Sequence, residues 1–514
     1  MGRLFTAVPI RILPVMKYAP VLLVLIFFGC KENTDPQIAP THSEPHRPQI
    51  HFSPKEKWMN DPNGMVYFND TWHLFFQYYP DSTVWGPMHW GHATSKDLVH
   101  WTEQAIALYP DSLGYIFSGS VVADKNNSSG FGKDGKIPLV AIFTHHDPKG
   151  EKDGKNNFQN QSIAYSIDEG STWIKYPGNP VLKNPGIKDF RDPKVSWNEK
   201  ANKWIMTLAT KDRISFYSSA DLKQWSKESE FGDKLGAHGG VWECPDLFPM
   251  THNGKTVWVL LVSINPGGPQ GGSATQYFVG DFDGKTYTTT QKGTKWIDAG
   301  TDNYAGVTWS NTAERRIFLG WMSNWQYAQS VPTEKWRSAM TIPRELSVEQ
   351  VNGEYYLRSI PVREFSAIEG TASEEKNISN YNKTFSGPAT LALHCNASEN
   401  FSISISNQKN EKWVAGYDKN SNSYFIDRTE SGKKDFEKGF AKRIVSKRIS
   451  INKEMNLVLV IDDASAELFA DNGLTTMTSI FFPNENYHSL TVSGGSNYKI
   501  DSIRLTPIKA TWNK

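Results

Sequence analysis

"SKDLVHW" (Ser95–Trp101) returns in altered form as "SIDEGSTW" (Ser166–Trp173) and "SADLKQW" (Ser219–Trp225), each time a serine, then an acidic turn, then a tryptophan. "GDFDGKTY" (Gly280–Tyr287) is a looser fourth copy. Every copy follows an apolar run, and the interval suits a four-stranded sheet plus variable loops. Repeats of that size in an all-β chain point to propeller blades. The surrounding sequence agrees. From about 50 to 345, short runs such as "IPLVAIFTHH", "KWIMTLAT" and "RIFLGWMS" are broken by Gly, Asn, Asp and Pro. Nothing holds a helical period over three turns, so strands are expected throughout.

At 514 residues the chain exceeds one ordinary core, and two domains are expected. "KWRSAMTIPRELSV" (335–348) closes the first region, placed at 49–350, and a connecting linker is expected at 351–368. Residues 369–514 carry a second β pattern, including "ATLALHC", "FSISIS" and "HSLTVSGG", whose regular short strands argue for a sandwich. The charge-rich stretch 427–443 reads as a solvated hairpin. Lys plus Arg number 55 against 54 Asp plus Glu, a balance that excludes a general pull on nucleic acid or an acidic membrane. Mean hydropathy of -0.51 fits a soluble body. Aromatic content is 13%, with 18 Trp and 20 Tyr. Most would fill β cores, and a surplus in clefts would suit the apolar faces of sugars.

The segment "VLLVLIFFGC" (Val21–Cys30) is apolar but too short to span a bilayer as a helix. It follows Lys17 and ends in Gly-Cys, which resembles a bacterial lipobox. Residues 1–29 therefore read as a lipoprotein-type signal, with Cys30 as the lipidated membrane anchor. Phe27 and Phe28 depart from the usual Leu and small residue there, and Met16-Lys17 makes a more ordinary start than Met1. Residues 30–48 read as a flexible tether. The expectation is an exported, anchored bacterial protein, periplasmic or at the cell surface. Cys244 and Cys395 make no disulfide framework, so two free thiols are expected.

Three acids sit in unusual settings. Asp61 lies in "EKWMNDPNG" (56–64), where Asn-Asp-Pro-Asn-Gly is strong turn chemistry preceded by an apolar Trp-Met pair. Asp192 lies in "KDFRDPKV" beside Arg191, and Glu243 in "GGVWECPDLF" just before Cys-Pro. An amide and turn N–H groups beside Asp61 would favour its ionised form. Glu243, in an apolar and aromatic stretch with no cation adjacent in sequence, would be raised by burial. One acid kept protonated beside one kept ionised is the division of labour in glycoside cleavage. A propeller brings such distant segments together at its central channel.

"WMNDPNG", "FRDP" and "WECPDLF" in that order, with "FSGS" (117–120) and "IFFPNENYHSL" near the end, resemble the invertase–levanase–inulinase family of fructan-hydrolysing glycoside hydrolases (glycoside hydrolase family 32). "GPMHWGHATS" and "SNWQY" are similar to its levanase and exo-inulinase branch. The resemblance implies a five-bladed β-propeller followed by a β-sandwich, retaining hydrolysis of β-fructofuranosides and no required metal or other cofactor. It implies that Asp61 is the nucleophile, Glu243 the general acid/base and Asp192 the acid that holds the fructose hydroxyls. For a retaining pair the two carboxyl groups lie about 5–5.5 Å apart. Asn60, Gln77, Trp85, Ser118 and Arg191 match family positions that contact the terminal fructose, and Phe117, Tyr304 and Trp325 are expected to wall the pocket.

The function expected is an exo-acting β-fructosidase on levan, inulin or sucrose-type fructans. Fructosyl transfer through the same covalent intermediate is the enzymatic alternative. A non-catalytic fructan-binding lipoprotein is the other, although a binding module would have no need of all three acids. The pairs His89/His92 and His145/His146 look metal-like but lack a third ligand at a known spacing.

Overall fold

A computed structural model describes residues 42–512. Its regular elements are nearly all strands; the one α-helix among the described residues is Pro148–Lys152, and a 3-10 turn covers Arg363–Ile368. The first domain has five sheets, whose inner strands are Lys57–Phe68, Tyr115–Ala123, Phe190–Asn198, Val241–His252 and Tyr304–Thr308. Each touches the next, and the last touches the first, so the sheets stand as five blades around a channel. Late in the domain, Trp336–Arg337 runs parallel to Lys57 and Trp58 and fastens the ring to its first blade.

The repeat has a structural job. All four copies connect the third and fourth strands of a blade. In the first three the acid caps the turn: Asp97, Asp168 and Asp221 accept from the backbone N–H of His100, Thr172 and Gln224. The tryptophan then turns back, its indole N–H donating at 3.1 Å to the carbonyl three residues earlier. In the fourth, Asp283 still caps the turn and Tyr287 stands in place of the tryptophan. Serine and aspartate satisfy backbone groups that a strand cannot satisfy while reversing.

The second domain packs two six-stranded sheets on a core that includes Trp413, Tyr424, Leu459 and Phe481. Its union with the propeller is buried and charged. Arg344, fully buried, donates to Asp298 at 2.9 Å and to Glu467 at 3.0 Å. His51 bridges Asp462 at 2.7 Å and Glu467 at 2.8 Å. Burial alone would lower His51, but its two carboxylate bonds outweigh that and raise it to about 9. Nearby Arg428 pairs with Asp302 at 2.7 Å.

Several expectations need correction. The stretch 351–368 is not a linker: Glu354–Pro361 pairs along its whole length with Arg344–Val351 and forms the outer strand of the fifth blade. The tether is packed from residue 42 onward. Arg47 is fully buried there, donates to Ser53 and Pro54, and stacks over Trp336 at 4.4 Å. Within 427–443 a hairpin does form, but Arg428 and Phe440 are fully buried at the domain union rather than solvated. Cys244 and Cys395 are both free. Cys30 and the signal segment lie outside the described residues.

Candidate active site

All five inner strands break register at one level of the channel. The breaks fall at Asn60/Pro62, Phe117/Gly119, between Arg191 and Lys194, at Glu243/Asp246 and at Tyr304/Val307. Asp61, Asp192 and Cys244 have φ of 30°, 63° and 45°, in the left-handed region that side chains rarely occupy. Pro62, Pro193 and Pro245 account for three of the five breaks and follow the three residues of positive φ. A proline offers the ladder no N–H, so the strand bulges there and re-aims the residue before it. "NDPNG" is therefore no surface turn; it lies inside the strand Lys57–Phe68. Gly64 has φ of 58°, and a Cβ there would come within 2.8 Å of Phe75.

The bulges bring the three acids together. The Cys244 thiol lies 3.9 Å from Asp61 Oδ2 and 3.7 Å from Asp192 Oδ2, and its backbone N–H donates to Asp192 at 3.0 Å. Arg191 spans the third and fourth blades, donating to Asp189 and to Glu243, both at 2.7 Å. Tyr304, from the fifth blade, donates its hydroxyl to the other oxygen of Glu243. Glu243 is thus not an acid without a cation: Arg191, distant in sequence, supplies one. Tyr304, expected as a pocket wall, binds Glu243 directly.

The electrostatics differ from the sequence expectation. Burial first, then the neighbouring Glu243, push Asp61 up to about 8, against an opposing hydrogen bond from Asn60. Asp192 is raised by burial to about 6, with Arg191 opposing and Glu243 reinforcing the rise. Asp61 is therefore not held ionised by turn N–H groups, and its Oδ1 is buried without a partner. Burial, reinforced by the charge of Glu243, makes the protons of Asp61 and Asp192 hard to remove.

The other expected residues gather around this cluster. Trp58 donates to Asn60 Oδ1 at 2.7 Å, which leaves the amide nitrogen for Asp61. Gln77 stands opposite Asn60 in the neighbouring strand, with its buried Nε2 unpartnered. Ser118 is buried on the second blade's bulge, where Gly119 is needed because a Cβ would strike the Ile142 carbonyl. Phe117 stacks on His146 at 4.3 Å and meets the edge of Trp85 at 6.2 Å. Trp325 stacks on Trp58 at 5.8 Å. Sequence reasoning missed Cys244, Asp189 and the pair beneath the acids, Lys194 and Asp246, 3.2 Å apart. That pair had a signal: each residue follows the proline of an acid motif.

Comparison with known proteins agrees with the two-domain fold. Residues 51–359 match the glycosyl hydrolases family 32 N-terminal domain, and 358–507 match the family 32 C-terminal domain. The chain is 43% identical to a levanase of Bacillus subtilis, over 98% of this chain and 75% of that protein. It is 40% identical to an extracellular exo-inulinase of Aspergillus ficuum, over 92% of this chain and 96% of that protein. The crystal structure of an exo-inulinase from Aspergillus awamori superposes with a TM-score of 0.85 at 36% identity, covering 92% of this chain and all of that one. A fructofuranosidase from Schwanniomyces occidentalis complexed with fructosylnystose gives 0.84 at 33%, covering 92% and 99%. Both domains are matched in order and nearly end to end, and the chain is a member of glycosyl hydrolase family 32.

Proposed function

We propose that the protein is a retaining exo-β-fructosidase that removes terminal β-D-fructofuranosyl units from levan, inulin or sucrose-type fructans. The carrying observation is the meeting of Asp61, Asp192 and Glu243 from three different blades, with Arg191 and Tyr304 gripping Glu243. Relatives named levanase and exo-inulinase support the substrate class.

The chemistry assigns each group a step. Glu243 protonates the departing glycosidic oxygen while Asp61 attacks the anomeric carbon, and a fructosyl-enzyme ester forms as the C–O bond breaks. Glu243, now a carboxylate, takes a proton from water, which attacks the same carbon and releases fructose with its configuration retained. The productive form has one proton between the two acids, placed on Glu243. Arg191 and Tyr304 hold that carboxyl in place, and Asn60 steadies Asp61. Asp192 and the free Nε2 of Gln77 would take hydroxyls of the terminal ring, with Ser118 beside them. Phe117, Trp85 and Trp325 would enclose its apolar edge. Export and anchoring through Cys30 belong to the same reading, and the word extracellular in the exo-inulinase's name supports export.

Product analysis on levan, inulin and sucrose tests it. Fructose should be the sole early product from the polymers, appearing first as the β-furanose by NMR. Mixed oligosaccharides at early times would refute exo action, and initial inversion would refute the covalent step.

A further inference from the structure

Nine large apolar side chains stand exposed among the described residues, and four of them, Val84, Trp85, Tyr109 and Leu113, sit on two loops. Both loops open at the acid end of the channel. One follows the strand Thr71–Tyr79, whose Gln77 faces Asn60; the other enters the strand Tyr115–Ala123, which carries the Phe117–Ser118 bulge. They are joined, since Ile116 N–H donates to the Met88 carbonyl at 3.0 Å.

Their rings are presented rather than loose. Trp85 is 38% exposed and leans on Phe117; Tyr109 is 55% exposed and leans edge-on against His89 at 5.4 Å. The backbone behind them is tied down. Lys175 donates to the Tyr109 carbonyl and to Asp111, both at 2.5 Å, and Gln329 accepts from the Trp85 N–H at 3.3 Å. A fixed, exposed aromatic surface loses little freedom when a ligand covers it. The facing rim is different in kind: His238 pairs with Asp212, and Arg213 reaches toward Asp212, Glu230 and Asp233. Among the described residues, the exposed large apolar side chains of this mouth lie on the side of the first two blades, where a neutral sugar chain leaving the pocket would meet them.

We propose that these loops form a ledge for the fructosyl units beyond the scissile bond, so that the protein favours polymeric fructan over sucrose. The ledge rests on the fructosidase reading, because the chain must leave a pocket that holds its terminal ring. Tyr109→Ala combined with Leu113→Ser removes its outer half. The expected result is a three- to tenfold rise in KM for levan or inulin, the size of one lost aromatic contact, with sucrose kinetics changed less than twofold. Binding of both polymers to Glu243→Gln protein, with and without the double substitution, gives a second readout that needs no turnover. Weakened polymer binding supports the ledge. Unchanged polymer binding, or an equal loss on sucrose and polymer, overturns it. An unsubstituted protein that releases no fructose from any of these substrates speaks against the fructosidase reading, while the binding comparison still decides the ledge.

Discussion

The channel mouth and the domain union both bury carboxylates, yet they treat them oppositely. At the union, Glu467 meets Arg344, His51 and the Ile342 N–H, and these partners bring it below the ordinary carboxylate range against the cost of burial. At the mouth, Asp61, Asp192 and Glu243 share one arginine, and Asp61 and Asp192 are pushed up. Supplying a cation and N–H donors for every buried acid makes a rigid joint; withholding them leaves acids that hold their protons, the setting typical of functional sites. At the mouth Asp61, Asp192 and Cys244 also hold positive φ, and Asp61 Oδ1 and Gln77 Nε2 are buried without partners.

The difference can be broken at either end. Glu243→Gln should lower turnover by about 10²–10⁴-fold, the usual contribution of a general acid/base, with levan binding and the melting transition kept. Near-normal rates would remove Glu243 from its role. Arg344→Met leaves Glu467 and Asp298 without their shared cation and should cost about 3–5 kcal/mol of stability by denaturant unfolding. The surviving folded fraction should keep the parent kcat, and an unchanged unfolding midpoint would show that the union does not depend on this pairing.

The smallest effect concerns pH. Asp61 sits at about 8 when folded against an ordinary 3.8, so its stabilising proton is fully held below about 3.8 and is lost as pH rises through about 8. Asp61→Asn should therefore melt above the parent at pH 8, and the gap should close near pH 4. A gap that widens toward acid would reverse the assignment.

Much of this was legible beforehand because it is written in local chemistry. The Ser–Asp–Trp turns read as blade corners since each acid caps its own backbone within a few residues. The acid-and-proline motifs named Asp61, Asp192 and Glu243. Asn-Asp-Pro-Asn-Gly reads as a turn in isolation, and only the neighbouring strand shows that it is a bulge within a ladder. Arg428 and Phe440 looked solvated since their partners, Asp302 and Tyr327, lie in the other domain.

The order of residues alone determined strands, blade corners, the family and the identity of the three acids, all of which depend on patterns a few residues long. Tertiary structure alone decided that Arg191 and Tyr304 hold Glu243, that Asp61 and Asp192 are raised, and that the union's acids are fully paired. A carboxyl's charge state follows from what surrounds it within a few ångströms, and here those neighbours come from segments of the chain that meet only when the ring closes.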